Sequence, residues 1–422
     1  NWNTDLWVKL FLPSIIVFGL LSSVGLHAQV NTKTESQDTV KTMPKTETNN
    51  LYDLILSDPR NRQYLEMSKQ GWISGLGGKT FLRFGGFVQV NFIRDFQNTG
   101  YDFGQFIPAS IPVPTDNQSH IAFDPRATRI TFETQTDTEK GLVNTFISMD
   151  FSGFAQKGSI QPRLRQAYVS WINAKKRQSV MIGQAATTFN DGDIWPESFD
   201  LEGPNAMLYL RQVMIRYSFM LSKSDNWIGS LALEEPLSAV QYGKGIEQLP
   251  DLVFTVKWKE KWGHLRIGAL GRWLIAESNS GSGEASNLGW GLSFSGQALI
   301  PYRQDNFQFQ LYGGQGTGRY ALDLGAAPMG QDAVYDSVAV SLTPLGNYGG
   351  FIAYQHWWMD GLRTTVAGGY INVTNQAIQA EDALRAARIA LPGSASVELA
   401  VDTGRFVGLG RDDVQPSQFS DT

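Results

Sequence analysis

The sequence predicts an all-β chain folded as a transmembrane antiparallel β-barrel. Three observations carry that prediction: period-two alternation of apolar and polar residues over most of the chain, connections that alternate between short and long, and tryptophans placed at the ends of the alternating segments. The alternation starts at Phe81. Leu82, Phe84, Val88, Val90 and Phe92 fall on one side, and Arg83, Gln89, Asn91 and Asp95 on the other. It continues with Ile130, Phe132 and Thr134 opposite Arg129, Thr131, Glu133 and Gln135, then with Val143, Thr145, Ile147, Met149 and Phe151 opposite Asn144, Ser148 and Asp150. Further segments lie near 163–172, 179–189, 207–219, 227–234, 251–258, 264–274, 288–299, 306–315, 347–358 and 362–373, which makes thirteen strands. Each is close to the roughly 9 to 11 residues that a tilted strand needs to cross a bilayer.

The connections 137–141, 173–177, 220–226, 259–263, 301–304 and 359–361 are short, whereas 97–126, 152–162, 190–206, 235–250, 275–287 and 316–346 are long. A soluble sandwich has no physical reason to put every tight turn at one end, but an outer-membrane barrel has short periplasmic turns and long external loops. Trp171, Trp227, Trp258, Trp262, Trp357 and Trp358 flank the short turns, and Trp273 and Trp290 flank a long loop, as interfacial girdles would.

Before the strands, Lys9 precedes an apolar run from Leu10 to Leu21, and small residues lead to Ala28. With Pro13 inside it and fewer than the roughly 20 apolar residues of a spanning helix, this run reads as a secretory signal peptide over 1–28. A polar segment over 29–79 follows, with a helical stretch near Leu51 to Met67 interrupted by Pro59. After Thr374 the alternation stops, so 374–422 reads as an anomalous C-terminal segment. Thirteen is an odd number of strands and leaves an open edge in hydrocarbon, which points to roughly three missing strands, through truncation, a shifted reading frame or completion by other chains.

Composition narrows the chemistry. With 12% aromatic and 18% charged residues the 422-residue chain can bury a large apolar surface. The absence of Cys excludes disulfides, thiolate metal sites and Cys nucleophiles, and four scattered His do not make a metal centre, so no cofactor is expected. A formal net charge of −5 without a basic face argues against nucleic acid as a partner.

Several segments resemble DcaP-like outer-membrane porins of Gram-negative bacteria over about 80–373. They are RATRITFETQT (126–136), FISMDFSG (146–153), RLRQAYVSW (163–171), IGQAATTFND (182–191), FDLEGPNA (199–206), LRQVMIRYSF (210–219) and YQHWWMDGLRTTVAGGY (354–370). The resemblance implies a homotrimer in outer-membrane lipid, with sixteen antiparallel strands per subunit, passing small anionic solutes such as dicarboxylates. The chain departs from the family at its C-terminus, QPSQFSDT (415–422), where such porins end on a strand closed by an aromatic residue.

The alternation assigns charges to the inner face. Arg83, Arg129, Arg163, Arg165, Arg216, Lys257, Arg266, Arg272 and Arg363 are basic, and Asp95, Glu133, Asp150 and Glu234 are acidic, a balance that favours anions. Placing Arg163 and Arg165 outward would cost roughly 2 to 4 kcal/mol each at the lipid midplane, so they are expected to face inward. The loop 190–206 carries Asp191, Asp193, Glu197, Asp200 and Glu202 along a path stiffened by Trp195-Pro196 and Gly203-Pro204, and it is the candidate constriction. A barrel hydrolase would need Ser or Thr beside His120, His264 or His356, and no G-x-S-x-G elbow accompanies them. The adjacent Glu234 and Glu235 point to opposite faces and cannot form a dyad. A non-conducting structural or adhesion barrel is the other alternative, disfavoured because long loops without a repeated or aromatic binding face accompany a polar interior.

Overall fold

Strands whose side chains alternate between lipid and a polar interior can satisfy their amides only through neighbouring strands, because hydrocarbon supplies no partner. The computed structural model describes residues 72–74, 79–98, 119–153, 160–196, 203–279, 281, 283–301, 304–325, 331–359 and 362–374. All lie in the unit Thr46–Thr422, whereas the other unit, Asn1–Lys45, falls outside the described residues. The expected signal peptide, most of the polar segment and the segment after Thr374 also fall outside them, as do Glu197, Asp200 and Glu202.

The strands are β1 (Ile73–Ser74), β2 (Thr80–Phe87), β3 (Asn91–Asp95), β4 (His120–Asp124), β5 (Arg129–Thr138), β6 (Gly141–Asp150), β7 (Arg163–Asn173), β8 (Gln178–Ala186), β9 (Arg211–Met220) and β10 (Trp227–Glu234). They continue as β11 (Val240–Gln241), β12 (Gly243–Gly245), β13 (Asp251–Glu260), β14 (Gly263–Ser278), β15 (Ala285–Leu299), β16 (Asn306–Gln315), β17 (Ala333–Asp336), β18 (Ser341–Pro344), β19 (Gly346–Met359) and β20 (Leu362–Val373). One antiparallel meander runs β1-β2-β5-β6-β7-β8-β9-β10-β13-β14-β15-β16-β19-β20, with β12 added to the end of β14. All thirteen expected strands are in it, joined in sequence order, and β1 adds two residues to the edge of β2.

Four details differ from the sequence expectation. The first strand breaks after Phe87, and its continuation, β3, pairs with β4 in a separate hairpin with Phe92 and Phe123 in ring contact at 5.1 Å. The loop expected over 275–287 shrinks to 279–284, because β14 and β15 stay paired out to Ala276 and Ala285. Residues 187–189 and 207–210 leave the ladder and turn inward instead of extending β8 and β9. The long connections 235–250 and 316–346 fold too, since β11 pairs with β17 and β17 with β18 in a small second sheet.

The outer face is apolar and exposed: Ile182, Ile215, Ile267, Leu292, Leu311 and Ile352 all stand on it. Trp227 stacks on Trp258 at 5.7 Å, and Trp258 meets Trp262 edge-on at 5.5 Å, beside the turns that follow β9 and β13. Trp273 and Trp290 stand exposed nearer the other end of β14 and β15. From Leu265 to Trp273 the strand rises about 27 Å at roughly 3.4 Å per residue, close to the height of an apolar barrel band. Inner positions alternate with these: on β14, His264, Arg266, Leu270 and Arg272 are buried.

The sheet curls. The connection between β8 and β9 reaches residues at its far end: a Cβ on Gly369 of β20 would lie 2.0 Å from the Asn205 carbonyl oxygen. Across a flat sheet those strands would stand about 34 Å apart at roughly 4.8 Å per ladder step. Replacing Ile267 by Arg is expected to lower the unfolding free energy in phospholipid vesicles by about 2 to 4 kcal/mol, read from urea titration. A loss below about 1 kcal/mol would take Ile267 off the lipid face.

Candidate functional site

The interior is organised by the connection between β8 and β9. Its neck closes where the Thr187 N–H donates to the Leu210 carbonyl at 2.8 Å, after which the chain turns into the curl. Phe189 enters first and is buried against β14 and β15, which present Gly268 and Gly291 there; a Cβ at Gly291 would meet the Phe189 ring at 3.3 Å. Two residues on, the fully buried Asp191 is held by three consecutive wall strands. Lys257 on β13 approaches Oδ1 at 3.4 Å, and His264 Nε2 on β14 and Ser295 Oγ on β15 each lie 2.8 Å from Oδ2. The Lys257 ammonium also donates to Asp193 at 2.6 Å. Burial alone would raise the Asp191 pKa, but Lys257, His264 and Arg266 together hold its carboxyl well below the usual range.

Loop backbone inside the curl has no neighbouring strand, and arginines take over its carbonyls. Arg216 donates to the Thr188 hydroxyl at 2.7 Å and to the Ala186 carbonyl at 2.5 Å. Arg266 donates to the carbonyls of Phe189, at 3.2 Å, and Thr188. Glu234 accepts from the Thr187 hydroxyl and the Thr188 N–H, both at 2.6 Å, and from Gln212. The returning half of the loop is bound to the connection between β16 and β19: Tyr209 N–H to the Tyr320 carbonyl at 3.0 Å, Ala206 N–H to Asp323 at 2.6 Å.

A second buried network centres on Arg272. Its guanidinium donates to Asp251 at 2.9 Å, to the Gly316 carbonyl at 2.6 Å and to the Leu237 carbonyl, and lies 3.1 Å from Asp332. Tyr320 adds a hydrogen bond to Asp251 at 2.7 Å. This ties the connections before β13 and after β16 to the inner wall.

The remaining basic positions cluster on β2 and β5 to β7. Arg83 pairs with Glu133, and Arg163 and Arg165 both pair with Asp150, at 2.7 and 2.5 Å. A bulge between Ser148 and Met149 lets Arg165 and Gln166 both be buried. Arg129 lies on the same inner face and stacks over Phe87 at 5.5 Å. Arg363 lies apart, beside the last short turn, over the Trp357 ring at 4.6 Å.

The structure thus brings together Arg216, Arg266, Asp191 and Asp193 at the inner loop, groups Arg83, Arg129, Arg163 and Arg165 elsewhere on the inner wall, and puts Arg272 in a separate network. Asp95 falls in the β3–β4 hairpin, 3.8 Å from His120, and so leaves the wall. Asp191, Asp193, Asp251 and Asp332 all enter the interior and reduce its positive surplus. Asp251 was legible by parity with Val253 and Lys257 on the same strand. Asp332 and Arg319, whose backbone N–H donates to Asp332 at 2.9 Å and whose guanidinium donates to the Leu237 carbonyl at 2.6 Å, are not legible, because they sit in a connection without periodicity. The inner face also carries an apolar cluster, Leu142, Phe146, Tyr168, Ile172 and Met181, that the charge assignment overlooks.

Asp191, Asp193 and His264 stand close enough to share a metal ion, but the Lys257 ammonium already bridges both carboxylates. Ser295 and His264 bond to the same oxygen of Asp191, so the serine proton is directed at the carboxylate rather than at imidazole, which is not the order that activates a nucleophile.

No family model matches the chain, and no curated protein matches it by sequence. Among solved structures it is similar to the outer membrane channel DcaP of Acinetobacter baumannii, with TM-score 0.60 and 16% identity over 72% of this chain and 82% of that one. OmpT of Vibrio cholerae gives TM-score 0.43 and 9% identity over 72% and 79%. OmpF of Salmonella typhi gives 0.31 and 10% over 70% and 98%. The likeness to the DcaP channel bears out, at the level of fold, the resemblance carried by the sequence segments and the outer-membrane barrel class.

Replacing Arg272 by Met leaves Asp251 and Asp332 buried without their shared cation, and is expected to lower unfolding stability by about 3 to 5 kcal/mol in the same urea assay. A change under about 1 kcal/mol would mean that the network is not closed.

Proposed function

We propose that the protein is an outer-membrane porin, assembled as a homotrimer, through which small anions such as dicarboxylates diffuse passively. The observation that carries this reading is the charge on the inner face of β2 and β5 to β7. Arg83, Arg129, Arg163 and Arg165 are set there against two buried carboxylates, Glu133 and Asp150, while the third carboxylate of those strands, Asp137, stands exposed at the end of β5. A surplus of fixed positive charge in a narrow polar passage lowers the cost of admitting an anion and raises that of a cation.

The two networks described above divide the labour. The inner loop and the Arg272 network occupy the walls from β9 round to β20, so solutes pass along the remaining side, past the basic strands. Arg216, Arg266 and Arg272 support the loops, and Arg129, Arg163 and Arg165 act on the solute. No bond is made or broken, and the route requires neither a nucleophile nor an energy-coupled plug.

The test is the reversal potential of single channels in a planar bilayer under a KCl gradient. Anion selectivity is expected. Changing Arg163 and Arg165 together to Gln leaves Asp150 as the only charge of the three, and the chloride-to-potassium permeability ratio should fall at least fivefold, with folded mobility on unheated gels retained. An unchanged ratio would remove those arginines from the pathway, and the absence of channels would overturn the porin reading.

A further inference from the structure

Between the inner loop and the wall lies a cavity of about 90 Å³, lined among others by Thr188, Asn190, Arg216, Ser230, Thr255 and Lys257. At about 30 Å³ per water it holds some three waters, or the polar end of a small organic acid. Most of its hydrogen-bonding capacity is already used. Lys257 is committed to Asp191 and Asp193, Ser230 bonds Ser218 at 2.9 Å, and Arg216 uses Nε on Thr188 and Nη2 on Ala186. Arg216, Asn190 and the Thr255 hydroxyl keep unspent capacity. Arg216 Nη1 makes no hydrogen bond among the described residues, and neither does the Asn190 side-chain amide, whose Oδ1 is fully enclosed. Enclosed polar atoms are almost always paired, with protein, water or ligand, so the unpartnered Asn190 Oδ1, in a lining that also carries the unbonded Arg216 Nη1, marks a place for a guest.

The unspent valences define that guest. Arg216 Nη1 calls for an anionic oxygen, and Asn190 Oδ1 for a hydroxyl or N–H donor. Arg216, Lys257 and Arg266 outnumber Asp191 and Asp193 around the cavity, which disfavours a positive charge on the guest. We infer that the cavity is a binding site for a small 2-hydroxycarboxylate, with its carboxylate on the Arg216 edge and its hydroxyl donating to Asn190 Oδ1. The inference rests on the channel reading for the route by which the solute arrives; the binding itself is independent of it.

Lactate and propionate differ by the one hydroxyl at issue. Calorimetric titration of the full-length protein in detergent is expected to give an affinity for lactate at least fivefold higher than for propionate. Asn190→Ala should abolish that preference by weakening lactate alone, and Arg216→Gln should weaken both acids. Equal affinities in the wild type, no heat from either acid, or a preference that survives Asn190→Ala would each overturn the site. The wild-type comparison decides the matter even if a variant fails to fold. Planar-bilayer recordings of the same preparation separate the two readings: lactate preference without conductance sinks the porin and keeps the site, and conductance without lactate preference does the reverse.

Discussion

An amide left unpaired in hydrocarbon costs several kcal/mol, and the architecture follows from that cost. Fourteen strands in one antiparallel path pair their backbones with immediate neighbours in sequence order. Once the ladder is fixed, the pleat sends alternate side chains to opposite faces, so Ile267 meets lipid and Arg266 does not. Arg266 and Ile267 are therefore not separate choices of the sequence but two consequences of one register, and a slip by one residue would exchange them.

The interior obeys the same accounting with different partners. The chain between β8 and β9 runs where no strand can reach it, and its carbonyls at Thr188 and Phe189, like that of Ala186 at the end of β8, are met by guanidinium groups. Arginine suits this role because its five donors lie in a rigid planar fork and its charge persists under burial. Arg272 shows the limit of that capacity, serving two carboxylates and two carbonyls with every donor directed inward. An arginine on the inner face is thus either a surrogate strand for a loop or a fixed charge for a solute, and its neighbours, not its position along the strand, decide which.

That distinction explains what was legible in the sequence. The thirteen strands could be read because lipid on one side enforces period two over whole segments. The inner or outer assignment of Arg83, Arg165 or Lys257 follows from the same parity. The partners of those residues could not be read, because Asp191 meets Lys257, His264 and Ser295 only through a loop that leaves the ladder, and loops carry no period. The end of β8 differs for a related reason: Thr187, Thr188 and Phe189 keep the β-branched and aromatic residues typical of a strand, but Phe189 turns into the interior. The hairpin β3–β4 is not visible in the sequence because the exposed Val88 and Val90 of the break and Phe92 of β3 continue the parity of β2.

The clasp on Asp191 also orders events in time. Its three partners lie on β13, β14 and β15, more than sixty residues downstream of the carboxylate they hold. Contacts so distant along the chain form late, after the loop-closure entropy of the intervening strands has been overcome. Strands β2 to β9 can zip together while the loop hangs free, but Phe189 and Asp191 find their seats only when β15 has joined in register. Seating of the loop is therefore a checkpoint on assembly, reached only by chains whose middle strands have paired correctly.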